Sequence, residues 1–249
     1  GRALRPANPA LAFLDSLLED YGDEWLTKAM FHYRWVYKAD IDQASGVLPS
    51  WRGTLSDDML ATMGKAFSER QISRLRYVGS NPVTGPVIEA SYVRLLDLFE
   101  NFVAYLERPG GLIKNVARSH QYLGVNAAIE NLRRARAEQD KRLGVFWHTQ
   151  GSGKSLSMLW FTQKVLRQIA GKWTFVMVTD RSELDSQLHG EFADAGAVPP
   201  EARVHAASIA HLRELLAADH RYVFTLIQKF QPSKAAGERE MPVLSERSD

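Results

Sequence analysis

The stretch Thr149-Gln150-Gly151-Ser152-Gly153-Lys154-Ser155 constrains what this chain can fold into more than any other. A short apolar run, Leu143-Gly144-Val145-Phe146-Trp147, precedes it, and a helical apolar pattern from Leu156 to Ile169 follows. Strand, glycine-rich turn, Lys-Ser and helix, in that order, make a cradle for a nucleoside triphosphate. Glycines let the backbone turn tightly and bring its N–H groups against phosphate oxygens. The helix that follows adds its positive N-terminal end. Lys154 is expected to reach the outer phosphates and the Ser155 hydroxyl to bind Mg²⁺. Thr149, Gln150, Gly151, Ser152 and Gly153 complete the phosphate-binding set. The strict pattern G-x4-G-K-[ST] is not met, because His148 holds the first glycine position. The competing reading is a solvated Gly/Ser loop; the flanking strand and helix patterns favour the cradle.

A chain of 249 residues suffices for one large domain or two modest ones. With 45% hydrophobic and 24% charged residues it has the composition of a globular protein. A formal net charge of +2 does not by itself announce a nucleic acid partner. The chain has no cysteine, which excludes disulfides, Cys-based zinc sites and a thiol nucleophile, and fits a cytoplasmic location. No apolar run reaches membrane-spanning length, so no membrane association is expected. The first residues, Gly1-Arg2-Ala3-Leu4-Arg5-Pro6, lack the apolar centre of a signal peptide and a starting Met.

Two halves follow different patterns. From Pro9 to about Glu107 the chain reads as helices alone. Leu11, Leu14, Leu17 and Leu18 form one apolar stripe. Asp23 is a plausible cap for a second helix carrying Trp25, Leu26, Ala29, Met30, Tyr33 and Trp35. Ser56-Asp57-Asp58 opens a third, with Met59, Met63, Phe67 and Ile72 expected inward. A loop at 79–86 precedes a fourth with Ile88, Tyr92, Leu95, Leu96, Phe99 and Val103. The aromatics here read as core rather than as a ligand box. After Gly110-Gly111, strands and helices alternate: helix Ser119–Ala137, strand Leu143–Trp147, helix Leu156–Ile169, strand Trp173–Thr179, helix Ser182–Phe192, helix Ile209–Ala218 and strand Arg221–Ile227. Alternation of this kind argues for a parallel sheet covered by helices, with ligands at the carboxyl ends of the strands. The expected organisation is an all-helical domain over 1–105 and an incomplete α/β P-loop (RecA-like) domain over 106–249.

Three further places carry chemistry. Gln121, about thirty residues before Lys154, offers the acceptor and donors that match an adenine edge. The strand Phe175–Thr179 ends in Asp180-Arg181. Asp180 could be read as an Mg²⁺-holding acid. The hydroxyl of Thr179, the guanidinium of Arg181 and the helix start behind them suit a nucleic acid backbone better. The third strand ends in Gln228-Lys229-Phe230, again donors without a carboxylate, so Gln228 and Lys229 join Thr179, Asp180 and Arg181 as candidate DNA-backbone contacts. Hydrolysis also needs an acid for Mg²⁺ and a group to orient water. No apolar strand ending in Asp-Glu appears, nor a nuclease set of acids, so the sheet reads as cut before its catalytic strand and catalytic residues stay unassigned.

Residues from about 98 to 249 closely resemble the R (restriction, motor) subunit of type I restriction–modification enzymes, a superfamily 2 helicase-like translocase. The residues that carry the resemblance are Arg118-Ser119-His120-Gln121-Tyr122 with Val125-Asn126-Ala127-Ala128; Gly144 through Met158, including His148-Thr149-Gln150-Gly151-Ser152-Gly153-Lys154-Ser155; Val178-Thr179-Asp180-Arg181 with Leu184-Asp185 and Gln187-Leu188; and Ile227-Gln228-Lys229-Phe230. The resemblance implies ATP-driven DNA translocation coupled to cleavage, in a complex with modification and specificity subunits. It also implies a DEAH-type acid pair soon after Gln228-Lys229-Phe230, which these residues do not contain. Residues 7 to about 95 are similar instead to the helical C-terminal half of a glutathione transferase-like protein, through Asp20–Met30 and Arg70–Leu75 with Val78-Gly79-Ser80-Asn81. The glutathione-binding half is absent, so no transferase activity is assigned.

Two other functions compete. A helical transferase-like interaction module with a non-functional P-loop segment would bind glutathione and not ATP. A small-molecule kinase would need a lid and a base near the cradle, and would leave the Thr-Asp-Arg and Gln-Lys-Phe strings idle.

Overall fold

A computed structural model describes residues 6–51, 53, 56–140, 142–199, 202 and 204–232. The chain divides into two compact units, Gly1–Leu96 and Asp97–Asp249.

The first unit is helical. Helix α1 (Pro9–Asp20) starts on an Asn8 cap whose Oδ1 accepts from the N–H groups of Ala10 and Leu11. A π-helical turn, Tyr21–Trp25, leads into α2 (Leu26–Val36), so Asp23 lies inside a turn rather than at a cap. Helices α3 (Lys38–Ser50) and α4 (Asp57–Ser73) follow, and α5 (Gly85–Asn101) crosses the division between the units. The apolar stripe of α1 stands open: Leu11, Leu14, Leu17 and Leu18 are 49–69% exposed. Met59 and Ile72 are likewise exposed, whereas Ala29, Trp35 and Ile88 are buried. Periodicity marks an apolar face but does not supply a surface to cover it.

Polar contacts hold this unit where apolar ones are sparse. His32 is buried between Ser80, whose Oγ lies 2.8 Å from its Nδ1, and Glu89, whose Oε1 lies 2.9 Å from its Nε2. Tyr37 donates its hydroxyl to the same carboxylate. Hydrogen bonds from Tyr37 and then His32 hold the Glu89 carboxyl below its ordinary range.

The expectation of helix to Glu107 fails at Asn101. Strand β1 (Val103–Arg108) pairs antiparallel with β2 (Gly111–Val116) in the register Val103↔Val116 to Arg108↔Gly111. Ala104 and Leu106 point inward and Tyr105 and Glu107 outward, a period of two within a run read as helical. Pro109-Gly110 is the turn of this hairpin, and Gly111, at φ 107°, opens β2.

Helix α6 (Ser119–Ala137) has the bounds expected of it. Gln121 Oε1 accepts from the Arg118 N–H at 2.9 Å, satisfying a donor at the helix start. Val125, Ile129 and Leu132 fall on one buried face, and Gln139 in the left-handed region (φ 56°) ends the helix. Helix α7 (Lys154–Gln168) buries Leu159, Trp160 and Val165 against them. Strands β3 (Phe175–Thr179) and β4 (Tyr222–Leu226) pair in parallel, Phe175↔Tyr222 through Thr179↔Leu226, with helices α8 (Ser182–Asp194) and α9 (Ile209–Ala217) between them in sequence. Ser208 caps α9 through its Oγ, as expected. A single parallel bridge, His205↔Phe224, adds the start of another strand beside β4. Met177, Leu188, Phe192 and Phe224 close the core.

Parallel pairing is therefore present, but the larger RecA-like sheet is not formed among the described residues. Leu143–Trp147, expected as its cradle strand, has irregular backbone. Gly144 at φ 110° interrupts any extended run, and Val145 and Trp147 stand 93% and 78% exposed. Phe146 instead seats its ring on Gly124 of α6, where a Cβ would lie 2.5 Å from the ring.

Under the core lies a charged lock. Lys164 of α7 is 4% exposed and bonds to Asp97 Oδ1 and, at 2.6 Å, to Asn126 Oδ1. Asn101 Nδ2 donates to Asp97 at 2.9 Å. Burial pushes the Asp97 carboxyl up, but the hydrogen bonds from Lys164 and Asn101 outweigh it and leave the group below its ordinary value. The lock ties the end of α5 and the middle of α6 to the cradle helix.

Candidate nucleotide site and its neighbours

The loop 149–153 enters α7 through two glycines in the left-handed region, Gly151 at φ 78° and Gly153 at φ 79°. Gly153 (φ 79°, ψ 41°) is followed directly by the right-handed helical turn beginning at Lys154. Successive left- and right-handed residues turn consecutive N–H groups to one side, the geometry of an anion-binding nest. The first N–H groups of α7 have no acceptor within the helix and add to it. A side chain at Gly153 would be strained by its φ and would meet Gln121 Nε2 at 2.7 Å.

Lys154 is exposed and folds back over the loop. Its Nζ donates to the carbonyls of His148 at 2.9 Å and Thr149 at 3.2 Å. Two neutral carbonyls are weak partners for an ammonium compared with phosphate oxygens. Thr149, Gln150 and Gly151 are exposed; Ser152, Gly153 and Ser155 are half-buried. The Ser152 Oγ is buried with no hydrogen-bond partner. These features fit a triphosphate. No group of three His, Asp or Glu able to hold a metal occurs among the described residues. A magnesium ion here would rest on the Ser155 hydroxyl together with phosphate oxygens and water, the way Mg²⁺ is commonly held.

Gln121 is buried (3% exposed), and its amide faces the loop. While Oε1 takes the Arg118 N–H, Nε2 donates to the Gly153 carbonyl at 2.9 Å. The side chain expected at adenine is thus engaged with the cradle's backbone and keeps a single amide hydrogen for anything else.

The structure brings the two candidate DNA-contact strings together, because β3 and β4 are neighbours with their carboxyl ends side by side. Gln228 Nε2 donates to the Asp180 carbonyl at 3.0 Å. Asp180 and Arg181 are exposed, with 3.6 Å between carboxylate and guanidinium. The Thr179 hydroxyl is buried without a partner, and Lys229 donates to the Ala206 carbonyl. Of the five, Asp180, Arg181 and Gln228 face solvent.

Sequence reading missed a pair behind this edge, a buried carboxylate under an exposed imidazole. Asp185, 1% exposed in the first turn of α8, bonds to His205 Nε2. His189 packs close by, and burial, then the neighbouring His205, pushes its pKa down. The polar first turn Ser182-Glu183-Leu184-Asp185 gave no sign that one of its carboxylates points inward.

A glycine-turn nest, a lysine at its mouth and a helix behind it are compatible with the class of P-loop, helicase-like proteins. Residues 120–249, more than half the chain, match the SWI2/SNF2 ATPase family, and the chain belongs to that family. Among its relatives is the type I restriction enzyme HindI endonuclease subunit of Haemophilus influenzae, 34% identical over 224 residues, covering 86% of this chain and 21% of that protein. A putative type I restriction enzyme MjaIXP endonuclease subunit of Methanocaldococcus jannaschii is 32% identical over 161 residues, covering 62% of this chain and 14% of that protein. The chain therefore spans about a fifth or less of the length of these curated relatives. The Haemophilus match leaves only about a seventh of the chain outside it, less than the helical unit holds, so it takes in most of that unit as well. The similarity of residues 7–95 to a glutathione transferase has no support in these matches.

Proposed function

We propose that this chain is the ATP-binding part of a restriction-enzyme motor subunit. Lys154 and the N–H groups of residues 151–155 hold the phosphates of ATP, and Ser155 holds Mg²⁺. The observation that carries the reading is the nest at Gly153-Lys154 with Lys154 folded over its mouth. Gln121 anchors the loop and offers its remaining amide hydrogen to adenine. Asp180, Arg181 and Gln228 form a polar edge for a DNA backbone, with Thr179 and Lys229 supporting it from within. In the intact assembly the motor would drive DNA past the enzyme, alongside modification and specificity subunits.

Among the described residues no strand ends in an acid pair, so the purified chain should bind Mg-ATP with little turnover. Titration calorimetry tests this. Binding is expected, and Lys154→Ala should weaken it by roughly ten- to a hundredfold, the range for a lost charge-assisted hydrogen bond. Undiminished binding by that variant would remove the cradle assignment. Robust turnover would show that an acid within these residues, with Asp180 the first to test, serves the metal. The alternative of a transferase-like module has no match to carry it; glutathione binding without ATP binding would revive it.

A further inference from the structure

His120, next to Gln121 in the first turn of α6, has no role in the reading above. Its Nε2 lies 3.2 Å from the Ser152 carbonyl, while the neighbouring Gln121 Nε2 lies 2.9 Å from the Gly153 carbonyl. Two consecutive helix residues thus meet two consecutive loop carbonyls. No peptide bond among the described residues is cis. In a trans peptide the carbonyl of one residue and the N–H of the next point in opposite directions. Holding the Ser152 carbonyl toward α6 turns the Gly153 N–H away from it. Holding the Gly153 carbonyl does the same for the Lys154 N–H. These are two of the N–H groups of the nest.

From this geometry we infer that His120 is a positioning residue for phosphate: it fixes the Ser152–Gly153 peptide so that the Gly153 N–H faces the bound anion. The inference rests on reading 149–155 as an ATP cradle. A second observation supports it. The His120 imidazole is held edge-on by His148, with ring centroids 4.9 Å apart and planes at 77°, and His148 is held in turn by Phe146 at 4.4 Å. His148 occupies the position where the strict motif has glycine. Its ring braces the tether, a task no glycine could perform. His120 itself is exposed and does not belong to the buried core, so its contact with the loop can be removed without opening a cavity.

The test uses the whole 249-residue chain with Mg²⁺ and a fluorescent N-methylanthraniloyl-ATP probe, displaced by ATP, pyrophosphate or adenosine. His120→Ala should weaken ATP and pyrophosphate by roughly five- to tenfold, the worth of one backbone-orienting hydrogen bond. Adenosine displacement and the urea midpoint of the nucleotide-free protein should stay as in the wild type. His120→Gln, which keeps an N–H donor, should recover affinity to within about twofold. Unchanged ATP affinity in His120→Ala would overturn the inference. So would an equal loss for adenosine, or no recovery in His120→Gln. Failure of the wild-type chain to bind the probe would remove the ATP reading itself, and this inference with it.

Discussion

The two units solve the burial problem differently. In Asp97–Asp249, helices pack on a parallel strand pair, and Phe102, Trp160, Phe192 and Phe224 lose all exposure. In Gly1–Leu96, helices have only helices to lie on, and α1 buries no residue. Its cohesion leans on the Ser80–His32–Glu89 hydrogen bonds and on ring contacts such as Trp35 with Phe67 at 5.7 Å. A sheet gives a helix a broad apolar floor; a neighbouring helix gives only a groove.

The sharpest way to break this comparison is to hollow out each unit. Trp160→Ala removes a fully buried ring that also meets Phe102 and should cost about 3–5 kcal/mol in urea unfolding. A cost under about 1 kcal/mol would mean that the second unit is no better packed than the first. Next in size is the charged lock. Lys164→Met strands the Asp97 carboxylate and should cost about 3 kcal/mol, whereas the double variant Lys164→Met/Asp97→Leu should recover much of it. No recovery in the double variant would mean that packing around Asn126, not the charge pair, holds these helices.

Acid should separate the units by pH window. His189 has its folded pKa pushed below the ordinary 6.5, so the unfolded chain takes up its proton first. Its contribution is constant above 6.5 and falls as pH drops from there toward the lower folded value. Glu89 has its folded pKa below the ordinary 4.5, so its contribution persists to about that pH and is lost as pH falls through the folded value. Fluorescence melts in mildly acid buffer should therefore show the second unit weakening first, and His189→Phe should flatten its slope between pH 7 and 5. An unchanged slope would assign the effect to another group. The smallest expected effect is on α1: Leu18, 69% exposed, should tolerate Leu18→Ser within about 0.5 kcal/mol. A larger loss would reveal that the stripe is covered in solution.

What could be read from the sequence was what local chemistry decides. Helices α6 and α9 and strands β3 and β4 were legible in the alternation of helical and short apolar patterns after Gly110-Gly111. The loop 149–155 was legible because glycine, lysine and serine act within a few residues of one another. What failed depended on distant partners. Leu143–Trp147 has strand composition, yet Gly144 and the socket at Gly124 give it another course. Leu11 to Leu18 has a helix face but no floor. Gln121 was singled out for its hydrogen-bonding groups, and only its closeness to Gly153, thirty-two residues away in sequence, shows where they go. His120 and Asp185 stood only inside the strings that carry the family resemblance; the contacts that distinguish them, to the Ser152 carbonyl and to His205, depend on a distant neighbour and not on a pattern.

The seat of Phe146 on Gly124 has a mechanical consequence. A peg in a socket couples whatever holds the peg to whatever holds the socket. The strand-like approach to the loop 149–153 is pinned to α6 at that joint, and the loop itself is pinned to the first turn of the same helix through Gln121. Between two such pins the segment cannot slide alone. A movement of residues 149–153 relative to α6 would have to unseat the phenyl ring or carry the helix with it as a lever, and a methyl group placed at residue 124 would lie 2.5 Å from that ring and force the joint to shift.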